Sequence, residues 1–478
     1  MAILNYSLNV RRIHEASMRL MAEAGVKFVS EEAREILKAN GIRVEGDLAF
    51  FTEEQLMYWV RKAPSTFKIY GKDPKWDMTI GGDHVNPAPS YGAPFISEQD
   101  GTRRVGDIED YIKFVKLYEQ DRNFKMNGGV ICQPGDLPAG SATALMFYAT
   151  YTHSNKCMFT GCGTKEEIQD MFKMAEAAYG SKEELIKYPR FTTIIDTITP
   201  LTLDKHMFDT MKIFVEYGQP VIVVSCVMGS TTAPVTMGGP IAYTNCEVLA
   251  TIALAQMIHP GVGCMYGSQS TTADLRNGAI ASGSPEGAII YKYCTEMAKF
   301  YGLPSRGGGA LSDAKVVDAQ AGYESMLSYL TCAQNNMNLI VHAAGIMDGY
   351  QSISYEKMIL DFQIIESANR YLRDTYIDDQ DEAIPVDLMV EIGHDGTYLA
   401  EDHTIEHCRE EVMVPFLSVC GQCSDPVNQF NTNIKNKMNQ YLNSYKKPEI
   451  NPDVLAKMRE ILIGRGVDPA LLDKIENA

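Results

Sequence analysis

Residues 302–357 read GLPSRGGGALSDAKVVDAQAGYESMLSYLTCAQNNMNLIVHAAGIMDGYQSISYEK. A short apolar lead runs into three glycines, Gly307, Gly308 and Gly309, and then into Ser312 and Asp313. Serine and aspartate side chains accept hydrogen bonds from the free N–H groups at a helix start, so this pair predicts a capped helix over 315–335. A second strand begins at Leu339, meets His342 and opens a loop carrying Asp348 and Tyr350. Strand, helix, strand is the unit of a parallel sheet, and here two strand ends bring a glycine run beside a histidine and a tyrosine. Small-molecule sites in α/β barrels are built at such ends.

The same unit repeats upstream. Strands are expected to begin near Ser90, Phe124, Cys157, Phe191, Val221, Gly261, Leu303 and Leu339. The helices between and after them are predicted over 108–119, 141–152, 165–179, 203–217, 245–258, 285–301, 315–335 and 355–372. Eight units over about 280 residues fit closure into a (β/α)8 TIM barrel. A doubly wound open sheet is the alternative, but no Gly-x-Gly-x-x-Gly follows the first strand. The barrel is assigned to 86–374. Before it, 1–85 forms a helical and hairpin cap, with helices over 7–24, 31–40 and 53–62 and a turn at Gly46 and Asp47. After it, 375–478 is a helical extension with helices over 425–445 and 453–464.

Composition narrows the function. The 478 residues are 45% hydrophobic and 22% charged, as in ordinary globular proteins. A net charge of -18 argues against nucleic acid or an anionic membrane as partner, since both require a basic face. No apolar run is read as reaching the roughly 18 residues of a membrane span, and the first residues lack the order of a signal peptide. The cytoplasm is therefore the expected compartment. The 11 cysteines, scattered through apolar segments, fit buried thiols in a reducing environment.

The predicted strand ends supply Tyr91, Asn127, Cys132, Gln133, Asp196, Thr199, Ser225, Cys226, Gln269, Arg306, His342 and Tyr350. The set is polar, neutral and aromatic, with few acids or bases. The glycine run reads equally as backbone amides for an anion or as a tight turn, and His342 as a ligand or a core histidine. HTIEH, residues 403–407, puts two histidines on one helix face but lacks the glutamate of a zinc hydrolase, so no metal is expected. Cys420 and Cys423 have redox spacing without a thioredoxin-like context. No nucleophile elbow, phosphate loop or kinase set is present.

Three phrases carry a resemblance: SDAKVVDAQAGYES at 312–325, SYEKMILD at 354–361 and HTIEHCREE at 403–411. In wording and order they resemble the trimethylamine methyltransferase family, over nearly the whole chain. The resemblance implies a barrel enzyme that takes a methyl group from an amine and gives it to the cobalt of a corrinoid carried on a separate protein. The chain itself is expected to hold no cofactor. Trimethylamine enzymes of the family carry pyrrolysine; this sequence has no nonstandard residue and resembles the branch acting on quaternary amines such as glycine betaine, proline betaine or carnitine. A quaternary ammonium leaves as a neutral amine once its methyl is taken, so no general acid or base is required and no catalytic residue is assigned.

A site at the barrel mouth would then need aromatic faces for the cation and donors for a carboxylate. Tyr91 and Tyr350 are the expected cage. His342, Arg306 and the amides of Gly307, Gly308 and Gly309 are expected on the carboxylate, with Gln269 and Asn127 completing the site. The expected partners are a small quaternary amine, a corrinoid protein and further copies of the chain. The rival readings are a barrel lyase or aldolase with phosphate on the glycine run, and an amine-binding subunit without chemistry.

Overall fold

The computed structural model describes residues 7–375, 377, 383–394 and 396–478. Residues 1–6 of the expected N-terminal cap, and 376, 378–382 and 395 of the expected extension, lie outside the described residues. Eight parallel strands form one sheet: β1 (Asn86–Pro87), β2 (Met126–Gly128), β3 (Cys157–Thr160), β4 (Phe191–Asp196), β5 (Val221–Ser225), β6 (Cys264–Ser268), β7 (Ser305–Gly308) and β8 (Leu339–Val341). Each is followed by a helix: α1 (Ile108–Gln120), α2 (Ala142–His153), α3 (Lys165–Tyr179), α4 (Lys205–Glu216), α5 (Gly238–Ile258), α6 (Pro285–Tyr301), α7 (Ala319–Gln334) and α8 (Tyr355–Leu372). The ladder runs β1-β8-β7-β6-β5-β4-β3-β2. The β1/β2 seam closes just beyond the strands, where the Gly92 N–H donates to Val130 O at 2.7 Å and the Gln133 N–H to Ala93 O at 2.9 Å. The chain is a TIM barrel.

Side-chain caps explain where most helices begin. Asp107, Thr164, Asp204, Ser284, Asp318 and Ser354 each accept from an N–H of the first turn. The helix after β7 is one correction. Asp318, not Ser312 or Asp313, caps it, and it starts at Ala319. Ser312 instead donates to Glu324 at 2.8 Å, while the Asp313 carboxylate accepts from the N–H groups of Ser282 and Gly283. Strand β1 is another. It sits at Asn86–Pro87 rather than from Ser90, because Pro87 and Pro89 have no N–H to extend a ladder.

α5 differs more. It starts at Gly238, is apolar all round, and by length and composition could cross a membrane, contrary to the reading that no such run exists. Its apolar circumference has a packing cause. Strands β5 and β6 lie on its inner side, and the N-terminal helices Leu8–Glu23 and Glu53–Val60 cover its outer side. A helix buried on every face needs no polar stripe.

The other N-terminal elements close the barrel floor. Thr66–Ile69 and Met78–Gly81 form an antiparallel hairpin whose Ile69, Met78 and Ile80 join Met126, Ile194, Ile222, Met265 and Leu339 in a buried cluster inside the barrel. Ile80→Ala should cost about 2–4 kcal/mol through lost transfer energy and the cavity left behind, measurable as a lower urea midpoint. At the other end, Lys27 and Phe28 pair with Thr202 and Leu203, so the cap also holds the loop that follows β4. The C-terminal helices Gln429–Ser444, Pro452–Gly464 and Pro469–Asn477 pack on α1, α2, α3 and α8.

Candidate active site

Register places two opposite charges at one level of the barrel. Asp196 pairs with Val224, Val224 with Gly267, and Gly267 with Arg306. Paired residues of a parallel ladder point to the same face, and Val224 belongs to the interior cluster. Asp196 at the end of β4 and Arg306 on β7 therefore both project inward, above the apolar floor.

Arg306 is 0% exposed. Its Nη1 donates to Ser268 O at 3.2 Å and, at a long 3.4 Å, to Gln269 Oε1. Nε and Nη2 have no partner among the described residues. Burial draws its pKa down, opposed by the charge of Asp196, but a guanidinium stays cationic. Two buried donor nitrogens left without acceptors cost about 1–3 kcal/mol each, which suits a site completed by an anion.

Asp196 is part-exposed, and no hydrogen bond or ion pair reaches its carboxylate among the described residues. Surrounding protein pushes its carboxyl up to about 6, with Arg306 pulling it down and Asp204 pushing it up. Cys226 shows the same combination. Its surface is exposed, yet enclosure pushes its thiol up to about 12, as on the wall of a deep recess. Tyr91 and Cys162 meet at the neighbouring strand ends, the Tyr91 hydroxyl 3.9 Å from Cys162 Sγ, and their own pKa values rise chiefly through burial.

His342 stands between the two tyrosines. Its Nδ1 accepts from the Tyr91 N–H at 3.2 Å, so a neutral ring carries its proton on Nε2, 3.1 Å from the Gln269 amide. Burial first, and then Arg306, hold its pKa well below the ordinary histidine value. The ring is a neutral donor. The Gln269 amide thus stands between His342 Nε2 and Arg306 Nη1. Tyr350 lies against His342 with centroids 5.1 Å apart, and its hydroxyl meets that of Tyr291 at 3.2 Å.

The backbone holding this set is unusual. His342, Asp348, Gly349 and Tyr350 all have positive φ, at 58°, 55°, 58° and 70°. For non-glycine residues this costs of order 1 kcal/mol or more apiece, and the surrounding structure must impose it. Arg103 and Lys315 both pair with the buried Asp348 carboxylate and tie the loop down. On the opposite wall, buried Glu247 of α5 accepts from Thr197 Oγ1, Thr199 Oγ1, the Leu201 N–H and Ser225 Oγ, which fixes the loops beside Asp196 and Cys226.

The expected site is thus partly assembled. Tyr91, Gln269, Arg306, His342 and Tyr350 converge. Gly307 and Gly308 do not form an anion loop, because both are strand residues paired with Ile340 and Val341. A Cβ on Gly307 would lie 2.5 Å from Met337 Cε, and one on Gly309 2.7 Å from Ala343 Cα, so these glycines serve close packing. Asn127 is turned away from the recess, its Nδ2 donating to Val115 O at 2.9 Å and its Oδ1 accepting from the Gly128 N–H. Asp196 is the residue that strand-end position supplied without a role. Two open clefts of about 700 and 390 Å³ border the rim, lined by loops after β6, β7 and β8, and include none of the converging residues. Among the described residues no group of three metal ligands occurs; His403 and His407 share the helix Asp402–Glu411, remote from these strand ends in sequence.

A family model described as trimethylamine methyltransferase (MTTB) matches residues 3–467. The chain belongs to the trimethylamine methyltransferase family. Within this methyltransferase family, a glycine betaine methyltransferase of Desulfitobacterium hafniense is 34% identical, covering 96% of each chain. A proline betaine:corrinoid methyltransferase of Eubacterium limosum is 31% identical, covering 82% of each. An L-carnitine:corrinoid methyltransferase of the same organism is 25% identical, covering 95% of each. Among solved structures, the hydroxylamine MtmB complex overlays with a TM-score of 0.50 at 11% identity, covering 91% of this chain and 93% of that one. At that identity it speaks for the fold alone.

Proposed function

We propose that the chain transfers a methyl group from a small zwitterionic quaternary amine, glycine betaine first, to the Co(I) corrinoid of a separate corrinoid protein. The observation that carries this reading is Arg306, a buried cation at the C-terminal end of the barrel whose Nε and Nη2 have no acceptor among the described residues. Glycine betaine, proline betaine and carnitine, named in the relatives, all carry a carboxylate; trimethylamine has none. A bidentate carboxylate supplies the acceptors that Arg306 lacks. Arg306 is closed to solvent, so an anion reaches it after Gln269 or Tyr350, both part-exposed, turns aside.

Reduced corrinoid supplies the nucleophile for the methyl carbon. The C–N bond breaks with its electron pair staying on nitrogen, and the amine departs neutral with no proton to add. Neutral His342 and protonated tyrosines fit a reaction that moves no proton. The work left to the protein is positioning: Arg306 and Gln269 on the carboxylate, Tyr91 and Tyr350 beside the ammonium, one methyl directed to the mouth. We also propose that copies of the chain associate. Val390, Leu399, Val414 and Val427 are each 75% or more exposed, a liability if left uncovered.

The test is direct. Purified chain, glycine betaine and reduced corrinoid, free or protein-bound, should give methylcobalt absorbance together with dimethylglycine in equal amount. Neither product appearing, with any of the three betaines, rejects the reading.

A further inference from the structure

Resting on the zwitterion reading, we infer that Asp196 is the counter-charge for the ammonium head and the residue by which the site selects a cation over a neutral group of the same shape. Three observations meet in it. Asp196 and Arg306 share one level of the barrel wall and both face inward, yet form no ion pair with each other. Had they evolved only to neutralise one another, contact would be the cheapest arrangement, because Arg306 is held away from water. Instead one charge is sealed with two idle donors and the other is open to the recess. A body carrying both charges, with its carboxylate toward β7 and its cation toward β4, fits between them.

The surroundings of Asp196 also say what kind of cation it takes. No N–H or O–H group donates to Asp196 among the described residues, and the titratable groups that feel its charge besides Arg306 are neutral: the Tyr91 hydroxyl and the thiols of Cys162 and Cys226. A quaternary ammonium has charge but no N–H. It interacts with a carboxylate and an aromatic face through electrostatics alone, and so loses nothing where hydrogen-bond geometry is missing. The ring of Tyr91, tilted on Phe159 with centroids 5.1 Å apart, supplies the second surface of that subsite.

The consequence for pH follows from the groups that face Asp196. These are Arg306 from β7, Asp204 from the start of α4, and the neutral Tyr91, Cys162 and Cys226 from the loops after β1, β3 and β5. Since the carboxyl titrates near 6, the counter-charge is present above that value and is lost as pH falls through it. Cation selectivity should fade in the same range.

Calorimetric titration of wild type and Asp196→Asn with glycine betaine and with 3,3-dimethylbutanoate, its carbon isostere with a neutral tert-butyl head on the same carboxylate, tests the assignment. At pH 7.5 wild type is expected to favour the betaine by about tenfold or more. Asp196→Asn should lose that preference by binding betaine more weakly and the isostere as before. The wild-type preference should also shrink between about pH 7 and 5, and the variant's should not. Equal affinity of wild type for the two ligands, or a variant that keeps the preference, overturns the assignment while leaving the zwitterion reading standing. Wild type that binds neither ligand overturns both. Should the variant not fold, the isostere comparison and the pH series on wild type decide the matter alone.

Discussion

Arg306→Met is expected to weaken glycine betaine binding by two to three orders of magnitude while leaving the apo protein as stable as the parent or more so. The loss follows from the chemistry of the contact. Hydrogen bonds to charged groups contribute about 1.5–3 kcal/mol each, and a bidentate guanidinium–carboxylate pair supplies two. The gain in the apo state follows from the same side chain. Nε and Nη2 are buried without acceptors, and methionine fills much of the same volume with no polar atom to satisfy. A residue whose removal harms ligand binding and spares the fold is retained for the ligand. Choline, which has the ammonium but no carboxylate, provides the control: its affinity should change by less than about threefold. Asp196 would meanwhile lose the cation that now pulls its carboxyl down, so it should titrate above its present value of about 6. Betaine affinity unchanged within about threefold, measured by calorimetry, would remove Arg306 from the site.

The sequence made the barrel legible because its signals are local. Apolar runs such as Val221–Ser225 and capping residues such as Thr164 and Asp204 mark strand and helix starts without reference to the rest of the chain. The errors fell where long-range packing decides. α5 begins at Gly238 in spite of Gly239 and Pro240, and surrounding elements bury nearly every residue from Pro240 to Gln256. Gly307 and Gly309 looked like a loop, but what selects glycine there is Met337 and the backbone of Ala343, thirty or so residues further along the chain. The site divided the same way. Tyr91, Arg306, His342 and Tyr350 follow from strand-end position. The placing of Asp196 level with Arg306 depends on register across four strands, which no local pattern specifies. Asn127 sits at the end of a strand too, but its side chain is taken by Val115 and Ser154, neighbours that its own sequence does not announce.

Lys357→Met should be the most destabilising single change in the barrel, at about 3–5 kcal/mol, because it leaves a buried carboxylate alone. Lys357 and Asp361, one turn apart on α8, are both fully buried and pair at 2.5 Å. Their remaining bonds tie α8 to the site loops: Lys357 Nζ donates to Ala310 O at 3.1 Å, and Asp361 accepts from the Gly345 N–H at 2.7 Å. Ala310 follows β7, and Gly345 begins the loop that presents Tyr350. Burial pushes the Asp361 carboxyl up to about 6, against the downward pull of Lys357. Without the lysine it rises further, so the variant's penalty is largest where the carboxylate is ionised and shrinks as the acid is protonated. The stability difference between parent and variant should therefore narrow as pH is lowered from about 8 to 5, a trend that a simple packing defect would not show. A companion Lys357→Met, Asp361→Leu double variant removes the charge as well as its partner, and should recover most of the loss except the bond to Gly345. Urea unfolding across that pH range reads all three proteins. A single variant within about 1 kcal/mol of the parent at pH 8 would mean that water, not Lys357, satisfies Asp361.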